Sequence, residues 1–272
     1  MPESIARVTG DDLVGVSEYS VTQEKEIVSG GKNPVKFALI GAVLGAVIAV
    51  GLIVVKEIFS EPVIYAARQF AELYPELPVL SDISAGDMGY SYAAAHLINI
   101  AADKDDKLVL GYADVKNSGV EALELSAALA AFGRKVLLVD AELYGRQISV
   151  KTGLADKAGV SELVAEKAEL SSLICKFENI DIIPAGKAAD NAAAILADRK
   201  LAQIIESMKQ TYDCVIFALP ALGSVADAIP TVKHMDGAVL GLELNGCTVR
   251  ECDKCVEQLL RTGTKLYGFE LR

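Results

Sequence analysis

Apolar residues in the second half of the chain form a regular series of short runs. Six runs have the length and composition of buried strands, and they cover residues 108–113, 135–140, 181–184, 214–219, 238–244 and 265–271. Stretches with helical periodicity lie between them, most clearly at residues 120–132, 194–210 and 248–261. Continuous apolar strands that alternate with helices predict an α/β fold with a doubly wound, mostly parallel sheet. Ligands bind such sheets at the carboxyl ends of the strands, so function is expected there.

A longer apolar run precedes this region. Residues 37–55 contain no charged side chain and are bracketed by Lys36 and Lys56. At 1.5 Å per residue the run spans roughly 28 Å, which is about the thickness of a bilayer core. A helix in a soluble core usually keeps a polar face, and a secretory signal peptide would be followed by a small-residue cleavage site that is not found here. We therefore predict one transmembrane helix over residues 35–56.

Two glycines in this run have the spacing of a helix-pairing motif. Gly41 and Gly45 form a G-x-x-x-G pair, which lets two helices approach closely in lipid. Small residues are also common in membrane helices that do not pair. Self-association through Gly41 and Gly45 and a helix without a partner both remain open at this point.

Composition shifts along the chain suggest four segments. Residues 1–34 are polar and acidic and are expected to form an extracytoplasmic arm, which the membrane helix at 35–56 follows. Residues 57–104 are interpreted as a juxtamembrane connector with one helix near its end. Residues 105–272 are predicted to form the α/β domain.

The charge and cysteine content exclude several classes of function. The net charge is −11 and the sequence has no run rich in Lys and Arg, which argues against a nucleic acid partner. Cys252 and Cys255 form a single C-x-x-C pair, and the whole chain has 2 His. A zinc site needs more ligands than this supplies, so we expect no metal site.

The strand at residues 135–140 carries a candidate for chemistry at its end. It finishes in Asp140, which is how many nucleotide-hydrolysing α/β proteins present a carboxylate to Mg²⁺. Such proteins carry a glycine-rich phosphate loop before the preceding helix, but residues 114–120 read Asp-Val-Lys-Asn-Ser-Gly-Val and do not match G-x-x-x-x-G-K-S/T. Ser118 and Glu121 fit a capping box instead. Asp140 could equally be a strand-end residue that caps a turn or the next helix.

An ordered series of segments resembles a known family. Residues 132–143 read Phe-Gly-Arg-Lys-Val-Leu-Leu-Val-Asp-Ala-Glu-Leu and are similar to the G-x-K-V-L-L-I-D-A-D-L segment of the bacterial tyrosine autokinases of capsule and exopolysaccharide synthesis. Residues 159–163, 183–186 and 212–216 follow in the family's order and spacing. The apolar helix followed by residues 77–80 resembles the last membrane helix of the polysaccharide co-polymerase (chain-length determinant) proteins to which these kinases are fused or bound. The resemblance runs from about residue 30 to the end and implies a P-loop-NTPase-like fold.

The chain departs from the family at the positions that carry its chemistry. The family's phosphate-loop Lys falls on Ser118, and its second catalytic Asp falls on Ala218. Its E-x-x-R-x-x-R oligomerisation motif falls on Ser91, Ala94 and Leu97, and residues 267–272 lack its tyrosine cluster. We interpret the aligned positions as a vestigial nucleotide site, with no catalytic residues and no cofactor, made of Lys116, Ser118, Gly119, Asp140, Glu142 and Ala218.

These departures lead to a functional prediction. We expect a pseudokinase-like protein, not an enzyme, that regulates chain length or export in capsule, exopolysaccharide or O-antigen biosynthesis through protein contacts. The implied partners are the membrane and a polysaccharide polymerase, a co-polymerase or an active tyrosine kinase. One alternative is a residual ATP-binding enzyme of the tyrosine-kinase type, and another is a scaffold like the partition and septum ATPases.

Membrane orientation is not decided by charge, because lysines flank the helix on both sides. Five cysteines without disulfide-like spacing suit a reducing compartment. We therefore predict a single-pass protein of the bacterial cell membrane with its C-terminal domain in the cytoplasm.

Overall fold

The computed structural model describes residues 34–59, 61–83, 88–103, 105–117, 119–165, 167–188, 191–223 and 229–272. The chain divides into two compact units, residues 1–60 and residues 61–272. Ser118 of the predicted nucleotide site lies outside the described residues.

The first unit contains one long helix, α1 (Pro34–Phe59). Its 26 residues are long and apolar enough to cross a membrane, and no residue of the helix is buried. The apolar run therefore forms the helix that its composition predicted, a candidate transmembrane segment.

The second unit is built on an eight-stranded sheet. Its strands are β1 (Val79–Asp82), β2 (Leu108–Asp114), β3 (Val136–Asp140), β4 (Cys175–Phe177), β5 (Ile180–Ile183), β6 (Cys214–Ala218), β7 (Gly237–Leu242) and β8 (Leu266–Leu271). They lie in the order β1-β8-β7-β2-β6-β3-β5-β4, and every neighbouring pair is parallel except β4 and β5. This confirms the predicted mostly parallel α/β sheet.

Helices cover both faces of the sheet. They are α2 (Ala67–Leu73), α3 (Gly89–Ala102), α4 (Ala122–Ala131), α5 (Gln147–Lys151), α6 (Val160–Val164), α7 (Leu170–Leu173), α8 (Ala192–Leu196), α9 (Arg199–Thr211), α10 (Ile229–Val232) and α11 (Val249–Arg261). Leu97 and Leu125 of α3 and α4 share one apolar core with Leu110 of β2. Phe70, Ile205 and Leu259 of α2, α9 and α11 belong to the core on the other face. The six strands β2, β3, β5, β6, β7 and β8 are thus buried on both sides, which explains why they read as continuous apolar runs.

Three local features differ from the sequence-based expectations. The expected connector at residues 57–104 supplies α2, α3 and the edge strand β1, which pairs with β8. The single helix predicted over 194–210 is two helices, because Asp198 caps a new helix by accepting a hydrogen bond from the Lys200 N–H at 2.9 Å. The short strands β1 and β4 were missed because four or three residues carry too little periodicity to be recognised. The predicted domain boundaries themselves stay a prediction.

Candidate functional site

Strands β2, β6 and β3 lie side by side and bring their carboxyl ends to one edge. Ala218 of β6 is in register with Asp140 of β3 and with Tyr112 of β2, and Asp114 follows two residues later. The side chain of Ala218 is buried and offers no ligand atom. Asp114 and Asp140 are therefore the carboxylates that end these three strands.

Asp140 is fully buried, and both oxygens of its carboxylate accept hydrogen bonds from the protein. Its carboxylate accepts hydrogen bonds from the Ser149 hydroxyl at 2.6 Å, from the Ser149 N–H at 2.9 Å and from the Glu142 N–H at 3.3 Å. Burial raises the pKa of Asp140 to about 6, although the bonds from Ser149 act in the opposite direction. These are the bonds of a strand-end Asp that caps the turn and the helix after it.

The carboxylate of Glu142 also bonds to its own loop, but only one of its two oxygens accepts a hydrogen bond there. Oε1 accepts a hydrogen bond from the Gly145 N–H at 2.8 Å, whereas Oε2 is buried and has no hydrogen-bond partner within the described structure. A Cβ atom at Gly145 would lie 2.7 Å from Oε2, so glycine leaves the space that this carboxylate occupies.

The carboxyl end of β2 is occupied by an ionic cluster that the sequence did not reveal. Arg272, directly after β8, places its guanidinium 3.0 Å from Asp114 Oδ1 and 3.1 Å from Glu121 Oε2. Burial raises the pKa of Asp114, and the neighbouring Glu121 raises it further, while Arg272 lowers it. The Glu121 carboxylate thus contacts Arg272, and the capping box predicted for Glu121 depends on Ser118, outside the described residues.

A third carboxylate lies beneath this cluster. Glu270 of β8 accepts hydrogen bonds from the hydroxyls of Tyr112 and Ser81. Burial raises the pKa of Glu270 to about 7, against the lowering effect of the Tyr112 bond and of Arg272. The signal that could have identified Arg272 and Glu270 is two charged residues at alternate positions at the end of an otherwise apolar strand.

Gly119 lies where the chain passes from β2 to α4. A Cβ atom there would lie 3.1 Å from Tyr112 Cδ1 and 3.3 Å from the Tyr112 carbonyl oxygen, closer than ordinary contact. The Gly119 carbonyl accepts a hydrogen bond from the Ala122 N–H at 3.1 Å. Glycine is needed at this position for the close approach of the turn to β2.

The side chain of Lys116 contacts α11 and the loop before it. Its ammonium donates to the Gly246 carbonyl at 2.7 Å and lies 2.9 Å from Glu251 Oε2. The hydrogen bond to Glu251 raises the pKa of Lys116. The predicted vestigial positions therefore do not form one cluster. Asp140 and Glu142 contact the loop after β3. Gly119 accepts a hydrogen bond from the first residue of α4, whereas Lys116 contacts α11.

The sequence of this chain is similar to those of several known proteins. An AAA domain model matches residues 118–235. The tyrosine-protein kinase CpsD of Streptococcus agalactiae is 26% identical over 189 residues, which are 66% of this chain and 81% of that protein. The chain is a homologue of the bacterial tyrosine-protein kinases. A putative tyrosine-protein kinase in the cps region of Klebsiella pneumoniae is 22% identical over 304 residues. The match covers 97% of this chain and 41% of the Klebsiella protein.

Solved structures show the same fold. The kinase domain of the Escherichia coli tyrosine kinase ETK has a TM-score of 0.62 to this kinase homologue, at 23% identity, over 72% of this chain and 79% of that chain. The chimerical protein CapA2B2 has a TM-score of 0.66 at 21% identity, over 75% of this chain and 97% of that chain. The second unit therefore has the P-loop-NTPase-like architecture that the resemblance implied.

The relatives overturn one prediction. We expected that the kinase homologue is not an enzyme, but its relatives are named tyrosine-protein kinases, which points to an enzyme. The prediction was wrong because it took the departures at Ser118 and Ala218 from the family's pattern as a loss of activity. The tertiary structure brings Arg272 to the start of α4, and it places Lys116 together with Arg250 and Lys254 at the same edge of the sheet.

The fold family implies that Mg²⁺ and ATP bind at the turn between β2 and α4. The residues of this turn fit a nucleotide phosphate and its metal ion poorly. Residues 117–121 contain no lysine. Among the described residues no three His, Cys, Asp or Glu side chains are grouped closely enough to hold a metal ion. We derive no catalytic step through ATP at this turn. The cations of this edge lie directly after β8, after β2 and on α11.

Proposed function

We propose that this kinase homologue is a membrane-anchored protein-tyrosine kinase of surface-polysaccharide biosynthesis, for capsule, exopolysaccharide or O-antigen. The observation that carries the proposal is the match to the Klebsiella pneumoniae protein, which spans 97% of this chain. That match includes the apolar helix α1 as well as the α/β unit. The name of that protein places it in a cps region.

The proposed partners follow from the same relationship. We propose that the domain contacts a polysaccharide polymerase or co-polymerase, or a second tyrosine kinase, and thereby affects chain length or export. Pairing of α1 through Gly41 and Gly45 is part of this proposal, because a Cβ atom at either glycine would meet nothing within 4 Å in the helix as described. Both positions would therefore be open to a second helix.

The proposed location is the bacterial cell membrane, with the α/β unit in the cytoplasm. All five cysteines are free, and Cys214, Cys247, Cys252 and Cys255 are buried. Free thiols that serve as small core residues suit a reducing compartment. Cysteine labelling of intact cells with an impermeant maleimide would test this orientation, since reagent access to an engineered cysteine at Glu257 would contradict it.

Phosphotransfer by the full chain is the direct test of the proposed activity. The full chain in lipid nanodiscs is mixed with Mg·ATP and a tyrosine polymer, and phosphotyrosine is measured over time. We expect Glu142→Gln to slow the reaction about ten-fold, because Glu142 presents a buried, unpartnered carboxylate oxygen at this edge. Glu206→Gln, on an exposed position of α9, is the matched control and should leave the rate unchanged. Absence of phosphotyrosine from the polymer and from the chain would reject the proposal.

Cellular phenotype separates this role from the alternative of a partition or septum scaffold. The sequence relatives reported above include kinases of capsule regions, so they favour polysaccharide assembly. Deletion of the gene should change the length distribution or amount of the surface polysaccharide. Misplaced septa with an unchanged polysaccharide would favour the scaffold instead.

A further inference from the structure

A cavity of about 550 Å³ lies beside the end of β2 and the first turns of α11. Five of its lining residues are charged, namely Glu61, Lys116, Arg250, Glu251 and Lys254. Three are cations and two are carboxylates, so the charged lining has a formal excess of one positive charge. This cavity is distinct from the positions of Asp140 and Glu142 on the β3 loop.

The cations are held in place by local structure. Arg250 and Lys254 lie one helical turn apart on α11, which puts them on the same face. Thr248 and Glu251 form a capping box at the start of α11. Because Glu251 is fixed in this way, its ion pair with Lys116 at 2.9 Å also fixes the lysine at the cavity.

One carboxylate already occupies the position that an anionic ligand would take. Glu61 Oε1 lies 2.6 Å from Arg250 NH1, and the two side chains are 43% and 81% exposed. Exposed ion pairs of this kind contribute little free energy, so the displacement of Glu61 from Arg250 costs little. Among the described residues, Lys254 makes no ion pair at all.

The backbone keeps Glu61 at this place. The Val249 N–H donates to the Pro62 carbonyl at 2.9 Å, and the Ile64 N–H donates to the Cys247 carbonyl at 2.9 Å. The segment that follows α1 in the chain is thus joined to the loop that leads into α11. The backbone at Glu61 is therefore held at the cavity, while its partly exposed side chain can move away from Arg250.

We propose that this cavity binds a phosphate-bearing ligand through Arg250, Lys254 and Lys116, and that the ligand displaces the carboxylate of Glu61 from Arg250. A guanidinium fork beside two ammonium groups matches the charge and the oxygen geometry of a phosphate ester or diphosphate. Two sources share this chemistry, a nucleotide and a lipid headgroup. The assignment goes beyond the proposed kinase reaction and does not rest on it, because it concerns binding alone.

Pyrophosphate titration tests the site directly. The full chain in nanodiscs of neutral phosphatidylcholine is titrated with pyrophosphate in a calorimeter. We expect saturable binding that Arg250→Ala and Lys254→Ala each weaken about ten-fold. Glu61→Gln should strengthen binding several-fold, because it removes the competing charge. Arg261→Ala is the matched control, since Arg261 lies at the other end of α11 in an exposed pair with Glu257.

The outcomes separate clearly. No saturable binding, or equal effects of Arg250→Ala and Arg261→Ala, would overturn the proposal. A gain of affinity in Glu61→Gln cannot arise from misfolding, so that variant protects the conclusion if another variant is unstable. Pyrophosphate binding and phosphotransfer are both measured for Arg250→Ala. Because binding is measured separately from phosphotransfer, failure of this proposal can be told apart from failure of the proposed activity.

Two competitors identify the source of the phosphate. Mg·ATP that displaces pyrophosphate from the wild-type chain supports a nucleotide ligand. A weaker pyrophosphate affinity in nanodiscs with phosphatidylglycerol, seen in the wild-type chain but not in Arg250→Ala, supports a lipid headgroup. If neither competitor affects pyrophosphate binding, both sources fail and the proposal fails with them.

Discussion

The guanidinium of Arg272 lies 3.0 Å from the carboxylate of Asp114, joining the ends of β8 and β2 across the intervening strand β7. The two side chains are 17% and 1% exposed. Gly241 of β7 makes this possible, because a Cβ atom there would lie 2.0 Å from Asp114 Oδ1. The ion pair therefore depends on a glycine in the strand between its two partners.

Removal of the arginine should destabilise the second unit. Arg272→Met leaves Asp114 buried without its partner, and breaking a buried pair on one side costs about 3 kcal/mol. The urea midpoint of the full chain in detergent measures this loss. Arg261→Met, in an exposed pair, should cost less than about 0.5 kcal/mol. The double variant Arg272→Met with Asp114→Asn should recover part of the loss, and equal midpoints for the two single variants would contradict this account.

Stability should fall as the pH rises through neutrality, because of Glu270. Its pKa is raised from 4.5 to about 7 by burial, and it is surrounded by Tyr112, Ser81, Arg272 and Glu121. The folded state then binds a proton that the unfolded state releases at lower pH. This stabilising contribution is fully present below pH 4.5 and is lost as the pH approaches and passes 7. The total change is about 3 kcal/mol.

Substitution of Glu270 tests this pH dependence. Glu270→Gln removes the titrating group, so the decline in the free energy of unfolding between pH 5 and pH 8 should become shallower, roughly by the change given above. Asp114 has a pKa shifted in the same direction and should leave a residual slope. Glu257→Gln, on the exposed side of α11, should reproduce the wild-type profile. A profile of Glu270→Gln that overlays the wild type would disprove the assignment.

The hydroxyl of Ser149 should be important for the β3 loop. It donates to Asp140 at 2.6 Å and accepts from the Ala185 N–H at 2.9 Å, and Ser149 is fully buried. Ser149→Ala leaves both buried partners with a bond missing, at a cost of about 2–3 kcal/mol. Denaturant unfolding measures the effect. Ser172→Ala, whose exposed hydroxyl donates to the Glu169 carbonyl, should be nearly neutral, and a similarly small effect at Ser149 would count against a structural role for Asp140.

Much of the fold was predictable because its helices and strands follow from patterns of residues that are close together in the sequence. The apolar runs that became β2, β3 and β6 are continuous since both faces of these strands are buried. The run that became α1 was recognisable by length and by the absence of charge. The break between α8 and α9 was missed because one polar side chain, Asp198, decides it locally within an otherwise helical pattern.

The candidate site was predicted only in part. Sequence alone indicated that Asp140 ends its strand and that Ala218 takes the place of the family's second Asp, and the structure puts the two residues in register on neighbouring strands. Sequence alone also suggested that this edge had lost its activity, and the kinase relatives contradict that inference. The error came from taking the departures at Ser118 and Ala218 from the family's pattern as proof of an inactive protein.

The sequence by itself determined the apolar helix, the parallel sheet and the strand ends at which function is expected, because each depends on residues close together in the chain. Only the tertiary structure decided which distant charges meet. Arg272 reaches Asp114 because β8 lies next to β7 and β7 next to β2, and Lys116 reaches Glu251 because the loop before α11 returns to the end of β2. Ion pairs between segments far apart in sequence follow from strand order, and no local pattern in the chain encodes that order.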